Sequence, residues 1–254
     1  MKSITGALTK ALSKQRRKFV ANEIFERHRG IVQRGPYAGM ALNGDANVSR
    51  GSLGLKILGL YEHPVVDFIA SQKSFGDLIN LGAADGYMAL GPLYAKLCKR
   101  SICFELTETG RDAVTKNAVK NGLSENVIVR GKADDQIADQ LKELDVVPET
   151  AMILCDIEGA EFDVLTSSTL EYLKGATLVI ELHDRMMDEG TRLRDALIAR
   201  LPEAASHKII RLGAAIDFAG IEDLENLSDN DRALVMSEGR RVYGEWLVVE
   251  YTAA

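Results

Sequence analysis

The chain has 254 residues, 46% of them hydrophobic and 27% charged, and a net charge of −6. That length and composition suit one main α/β domain with a small appendage and argue against a disordered chain, while no apolar run approaches the ~20 residues that cross a bilayer. The negative balance argues against broad electrostatic binding of nucleic acid, which needs a basic surface, and leaves room only for a local basic patch.

The first 22 residues carry Lys2, Lys10, Lys14, Arg16, Arg17 and Lys18 and no acid. They lack the unbroken apolar core of a secretory signal, so a solvated basic helix over 7–28 is expected, with a transit peptide or a membrane-surface helix as the alternatives. GPYAG then forms a turn between two short apolar pieces, a hairpin in outline. In LGLKILGLYE the stripe Leu53, Ile57 and Leu60 has helical spacing and reads as core. Tyr61 either covers a ligand or packs half-buried, and Pro64 suits the first turn of another helix. Residues 1–74 are therefore expected to form a helical cap, and residues 75–254 the main domain.

From residue 75 onward β-type runs alternate with helical patterns: DLINL, SICFEL, NVIVR, AMILCD, ATLVIEL, HKIIRL and EWLVVEY. Seven strands in this rhythm predict a mainly parallel sheet covered on both faces. Helices are expected at 87–98, 108–121, 135–143, 160–173 and 189–200. The connection after the sixth strand is long, and with one helix at 229–237 it lets the last strand return antiparallel. Trp246 is expected to pack against a helix from that last strand. Cys98, Cys103 and Cys155 lack metal-ligand spacing and read as buried reduced thiols, which points to a reducing, cytoplasmic setting.

The turn after the first strand is G-A-A-D-G, residues 82–86. It lacks the G-x-G-x-x-G of a dinucleotide site and the Lys-Ser or Lys-Thr of a P-loop. Asp85 would repel a pyrophosphate, but it suits a phosphate-free cofactor bearing an amine and a sulfonium, which is S-adenosylmethionine. The competing reading is a plain strand-to-helix turn in which Asp85 caps the helix. On the first reading Asn80, Gly82, Ala83, Asp85 and Gly86 contact the cofactor. Glu105, with Leu106 beside it, ends the second strand where a carboxylate can accept from both ribose hydroxyls. In GKADD, Asp134 either accepts from the adenine amino group, with the Ala133 backbone against the ring, or caps the next helix.

Strand-end carboxylates at 85, 105 and 156, the NLGAADGY turn, CDIEGAEFDVL and the VIELHD strand together resemble the FkbM-type S-adenosylmethionine-dependent methyltransferases, over about residues 75–185. Asn80 and Ala84 depart from the family, where an acid and a glycine are frequent. The resemblance implies a class I, Rossmann-like sheet of seven strands with the last antiparallel. It also implies methyl transfer to a hydroxyl of a sugar, glycan or secondary metabolite. An amino-methyltransferase acting on bases would carry an Asn- or Asp-Pro-Pro-aromatic segment where this chain has Asp156-Ile157-Glu158-Gly159.

Methylating an alcohol requires a base or a metal that acidifies the hydroxyl. His183, just past the fifth strand, is the expected base, with Asp156 and Glu158 beside it. Asp156 with Glu181 or Asp184 would make an oxygen-rich site suited to Mg²⁺; alternatively Glu158 and Glu161 merely favour the first turn of the next helix. The acceptor pocket is expected from residues 30–65 and the loop after the sixth strand. A nicotinamide oxidoreductase lacks its fingerprint here, whereas a non-catalytic cofactor-binding partner protein would keep Asp85 and Glu105 and leave His183 idle.

Overall fold

The computed structural model describes residues 4–44, 51–213, 218–237 and 242–251. Lys2 and parts of the expected acceptor pocket, 45–50 and 214–217, lie outside the described residues. Seven strands form one sheet: β1 (Phe75–Leu81), β2 (Cys98–Phe104), β3 (Val127–Arg130), β4 (Met152–Cys155), β5 (Thr177–Glu181), β6 (Ala205–Arg211) and β7 (Glu245–Tyr251). Their order is β3-β2-β1-β4-β5-β7-β6, and β7 runs antiparallel to both neighbours. Every residue of β4 is buried, because helices cover both faces of the sheet. The chain works outward from β1 to β3 and then crosses back to β4. The carboxyl ends of β1 and β4 therefore border the crevice where sheets of this kind bind ligands.

The expected helices appear with instructive differences. That at 87–98 ends early, as α4 (Tyr87–Tyr94), because Lys96 takes a left-handed turn (φ 60) and Cys98 pairs with Phe75 in the sheet. Next come α5 (Glu108–Lys120) and α6 (Ile137–Glu143). The single helix expected at 160–173 is two pieces, α7 (Glu161–Val164) and α8 (Ser167–Tyr172). Thr166 causes the break, since its hydroxyl caps α8 by accepting from Thr169 N at 3.1 Å. Then follow α9 (Thr191–Ala199), a short α10 (Glu222–Glu225) and α11 (Asp229–Met236).

In the N-terminal region the helices are α1 (Ile4–Arg27), α2 (Leu53–Leu58) and α3 (His63–Ser71), the last with Pro64 in its first turn. One face of α1 buries Val20, Ala21 and Ile24 while Leu8, Leu12 and Phe19 stay exposed. Arg16 ties the helix to α11 through Asp231, at 2.8 and 2.7 Å. The GPYAG turn closes only one antiparallel bridge, Ile31 to Ala41. Ile24, Tyr37, Leu55 and Ile57 join Tyr87, Leu90 and Val114 in one apolar cluster, which seats α2 against the β1–α4 turn. Among the described residues no helix is long and apolar enough to cross a membrane. The three cysteines are buried and unpaired, and burial pushes the Cys98 and Cys103 thiols up to about 12.

Candidate active site

The glycine turn is shaped by the closeness of two strand ends. Asp156 N donates to Leu81 O at 2.9 Å, and a Cβ on Gly82 (φ 86) would overlap the Asp156 carbonyl oxygen. Ala84 adopts the left-handed backbone that glycine favours (φ 49). Asn117 on α5 holds the turn from behind: its Nδ2 donates to Asp85 O at 2.7 Å while its Oδ1 accepts from Asn43 N at 2.7 Å.

Both oxygens of Asp85 are engaged within the protein. Its Oδ1 accepts from Tyr87 N at 3.1 Å, capping α4, and its Oδ2 accepts from Lys56 Nζ at 2.5 Å. Lys56 comes from α2 and lies 4.9 Å from the centroid of Tyr61 and 5.7 Å from that of Tyr87. Glu105, just past β2, accepts from Ala84 N at 2.9 Å, and from Thr107 N and Oγ1 at 2.8 and 2.7 Å. Its two oxygens offer about four lone-pair sites, so three donors leave acceptor capacity. Beside it Leu106 is 67% exposed, an apolar surface at the sheet edge. Ala133 is buried, and Asp134 Oδ1 accepts from Gln136 N at 3.1 Å and Gln140 Nε2 at 3.4 Å in the turn that leads into α6.

The second half of the site is a histidine held by a buried acid. Glu161 is fully buried at the start of α7, where Oε2 accepts from Gly159 N at 2.8 Å. Its Oε1 takes both His183 N, at 2.9 Å, and His183 Nδ1, at 3.1 Å. An ionised carboxylate only accepts, so the bonding pattern assigns the ring proton to Nδ1 and leaves the Nε2 lone pair free. Nε2 lies 3.7 Å from Asp156, 3.7 Å from Glu158 and 3.8 Å from Glu181. Burial pulls the His183 pKa down, but Glu161, Glu181 and Glu158 outweigh it and hold it above the ordinary value. Burial, reinforced by Glu181 and Glu62, pushes the Asp156 carboxyl well above the usual range.

Asp184, a sequence candidate for a metal ligand, does not join this group. It is buried against Arg194 at 3.0 Å, and Arg194 also binds Glu245 at 2.6 Å. Lys56 is the residue that sequence reasoning missed, because it reads as part of a core helix; Glu161 reads as a carboxylate near this edge or a helix-start acid, without its bond to His183.

A cavity of about 160 Å³ joins the two halves, with Lys56, Tyr61, Asn80, Asp85, Asp156 and Trp246 among its walls. That is below the ~300–1,000 Å³ of sites enclosing a whole small molecule, so it takes one end of a ligand. Asn80 Oδ1, Asp156 Oδ1 and Trp246 Nε1 are buried there without a hydrogen-bond partner among the described residues. Glu62, Ala84 and Glu158 line it in left-handed backbone, with φ of 46, 49 and 57. Such strain, about 1–3 kcal/mol per residue, gathers at functional sites. A larger open depression, about 880 Å³, lies at the opposite ends of the strands around Phe75, Cys98 and Thr177, away from this chemistry.

No protein-family model and no curated protein matches the sequence. Among solved structures, a proposed O-methyltransferase from Klebsiella pneumoniae superposes with a TM-score of 0.50 at 12% identity, over 92% of this chain and 90% of that one. The fold is the class I methyltransferase fold. An O-methyltransferase from Bacillus cereus, solved with S-adenosylhomocysteine, aligns over 92% and 90% of the two chains at 13% identity and a TM-score of 0.48. A proposed tRNA (m1A22) methyltransferase from Streptococcus pneumoniae, solved with S-adenosylmethionine, aligns over 74% and 72% at 18% identity and a TM-score of 0.44. At such identities the likeness is one of fold alone. Within a class I methyltransferase fold, Gly82, Glu105, Asp156 and His183 all sit at or just past the carboxyl ends of strands.

Proposed function

We propose that this chain is an S-adenosylmethionine-dependent O-methyltransferase of the FkbM type, acting on a hydroxyl of a sugar, glycan or secondary metabolite. The observation that carries the reading is the Glu161-held His183 beside the glycine-turn cavity. The residues fit the cofactor: Asn80 Oδ1 and Asp156 Oδ1 are unpaired acceptors for its amine, and Glu105 keeps acceptor capacity for the ribose. Leu106 and Ala133 offer apolar surface to the adenine, with Asp134 at its edge. When bound, the cofactor supplies an electrophilic methyl on a sulfonium.

His183 Nε2 takes the acceptor's hydroxyl proton. Glu161 fixes the ring orientation and tautomer and stabilises the imidazolium that results, as a buried carboxylate on Nδ1 does. Glu158, with its side chain 81% exposed, stands at the mouth where acceptor hydroxyls would bind. Buried reduced thiols support a cytoplasmic setting.

One observation favours a second reading, metal-assisted transfer. Asp156, Glu158 and His183 each present a donor atom, all within 4.8 Å of one another. Glu158 and His183 thus take the place first given to Glu181 or Asp184, and the imidazole donor suits a divalent transition ion better than Mg²⁺. The two mechanisms exclude each other, because a ligating Nε2 has no lone pair for a proton.

The test has two parts. S-adenosylhomocysteine should raise the thermal midpoint while NAD does not, since a ligand that binds only the folded state stabilises it; the opposite pattern would overturn the cofactor assignment. His183→Ala should cost about 10²–10⁴-fold in turnover with homocysteine-cofactor affinity kept. Loss on chelation with rescue by a divalent ion would decide for the metal, and methyl transfer unaffected by His183→Ala would refute both mechanisms. Absence of any transfer across hydroxylated acceptors, with cofactor bound, would favour the non-catalytic partner role.

A further inference from the structure

We propose that Lys56 is a cofactor-binding residue whose ammonium receives the α-carboxylate of the cofactor's methionine end, while Asn80 Oδ1 and Asp156 take its α-amine. The assignment rests on the S-adenosylmethionine reading above and names the residue that reads its amino-acid end.

The charges around the cavity lead to it. The acids Glu62, Asp85, Asp156 and Glu158 line it, and Lys56 is the one cation among the lining residues. Among the charged groups Lys56 alone attracts a carboxylate brought into that space, with Trp246 Nε1 as a neutral donor. At the other local source of positive potential, the N-terminus of α4, the first amide, Tyr87 N, is already taken by Asp85 Oδ1. Lys56 is 2% exposed, and its Nζ is fixed by Asp85 Oδ2 at 2.5 Å between the rings of Tyr61 and Tyr87. One carboxylate uses one of three N–H donors, so the group can hold a second anion without releasing the first. A charge already desolvated and oriented loses little more on binding, which is how preorganisation gains affinity.

The unpaired atoms complete the layout. Asn80 Nδ2 donates to Leu154 O at 3.2 Å, which fixes the amide and leaves Oδ1 as an acceptor without a partner. Asp156 Oδ1 is in the same position. A buried cation and unpaired acceptors around one cavity complement a zwitterionic α-amino acid. The cavity's volume of about 160 Å³ suits that end of the molecule, with the nucleoside lying outside it toward Glu105 and Leu106. Because Lys56 belongs to α2, the N-terminal region then supplies part of the cofactor site.

The competing role for Lys56 is a clamp that only pins α2 to the turn. Ligand pairs separate the two roles: S-adenosylhomocysteine carries the amino-acid end, and 5′-methylthioadenosine has the same nucleoside and sulfur without it. Calorimetric titration of the full chain with both compounds should show Lys56→Met weakening S-adenosylhomocysteine by about 10–100-fold, the range for a hydrogen bond to a charged group, with methylthioadenosine changed by less than about threefold. The double variant Lys56→Met/Asp85→Asn avoids leaving the Asp85 charge buried without its cation and guards against misfolding; it should show the same selective loss. Equal weakening of both ligands, or unchanged S-adenosylhomocysteine affinity, would overturn the assignment while leaving the cofactor reading intact. Failure of the unmodified protein to bind S-adenosylhomocysteine would overturn the cofactor reading and this assignment together.

Discussion

Replacing Gly82 by alanine tests whether the meeting of two strand ends builds the site. The residue has φ of 86, a backbone that costs an L-residue about 1–2 kcal/mol. The added methyl would overlap the Asp156 carbonyl oxygen and stand 2.8 Å from its carbonyl carbon and 3.2 Å from Ile157 Cγ2. The first two neighbours are backbone at the end of β4, so no side chain can rotate away and the strand ends must part. Overpacking of that kind costs about 1–3 kcal/mol, which brings the whole to about 2–5 kcal/mol. For a chain of this size the thermal midpoint should fall by roughly 5–20 °C. Scanning calorimetry measures the fall, and titration with S-adenosylhomocysteine should show binding lost with it, since Asp156 is displaced from the cavity. A fall of less than about 2 °C with cofactor affinity retained would refute the claim that β1 and β4 converge on a residue without a side chain.

Glu161→Gln should lower the His183 pKa, because burial already pulls it down and Glu161 is the strongest influence holding it up. Imidazole NMR titration, assigned with His183→Ala, reads this without a known acceptor, and an unmoved titration would contradict the pairing. In activity the same physics places the acid limb of the wild type above ~6.5 and shifts it to lower pH in the variant, since a base works only when neutral. Arg194→Met should cost about 3–5 kcal/mol at neutral pH by leaving Asp184 buried without its cation and removing one of the three arginines on Glu245, measurable by urea unfolding. Burial pushes Glu245 up, but Arg194 and Arg211 outweigh it and hold the carboxyl below its usual range. The wild type has this stabilisation above the unfolded carboxylate pKa and loses it as pH falls through the lowered one, so the gap between the two proteins should narrow in acid. A gap that stays constant with pH would count against the ion pairs as its source.

The strands were legible because burial on both faces leaves a local trace: LINL and MILC are nearly continuous apolar runs. Helix ends were less so. Nothing in Tyr94-Ala95-Lys96-Leu97 announces a left-handed lysine, and the end of α4 is set by the pairing of Cys98 with Phe75 across the sheet. The site was read at positions where an acid or glycine falls at a strand end, as at Gly82, Glu105 and Asp156. It was missed where a side chain acquires its role through space. Lys56 meets Asp85 across 29 positions, and Glu161 meets His183 across 22. In sequence the first is a lysine inside an apolar helix and the second an acid in a helix's first turn. Only the packing of α2 on the turn, and of α7 under the end of β5, makes them partners.

Trp246 is the only tryptophan in the chain; it packs, as expected, in one cluster with Val65 and Ile69 of α3, and it is also a wall of the cavity. The protein's ultraviolet emission therefore comes from one indole, buried and with its N–H unpaired at that wall. Any molecule entering the cavity changes the surroundings of that single fluorophore, so occupancy can be followed by intensity and wavelength without a label. The same signal during unfolding reports the opening of this wall, not an average over the molecule. Disagreement between tryptophan emission and circular dichroism in one melt would mark the site as opening separately from the sheet behind it.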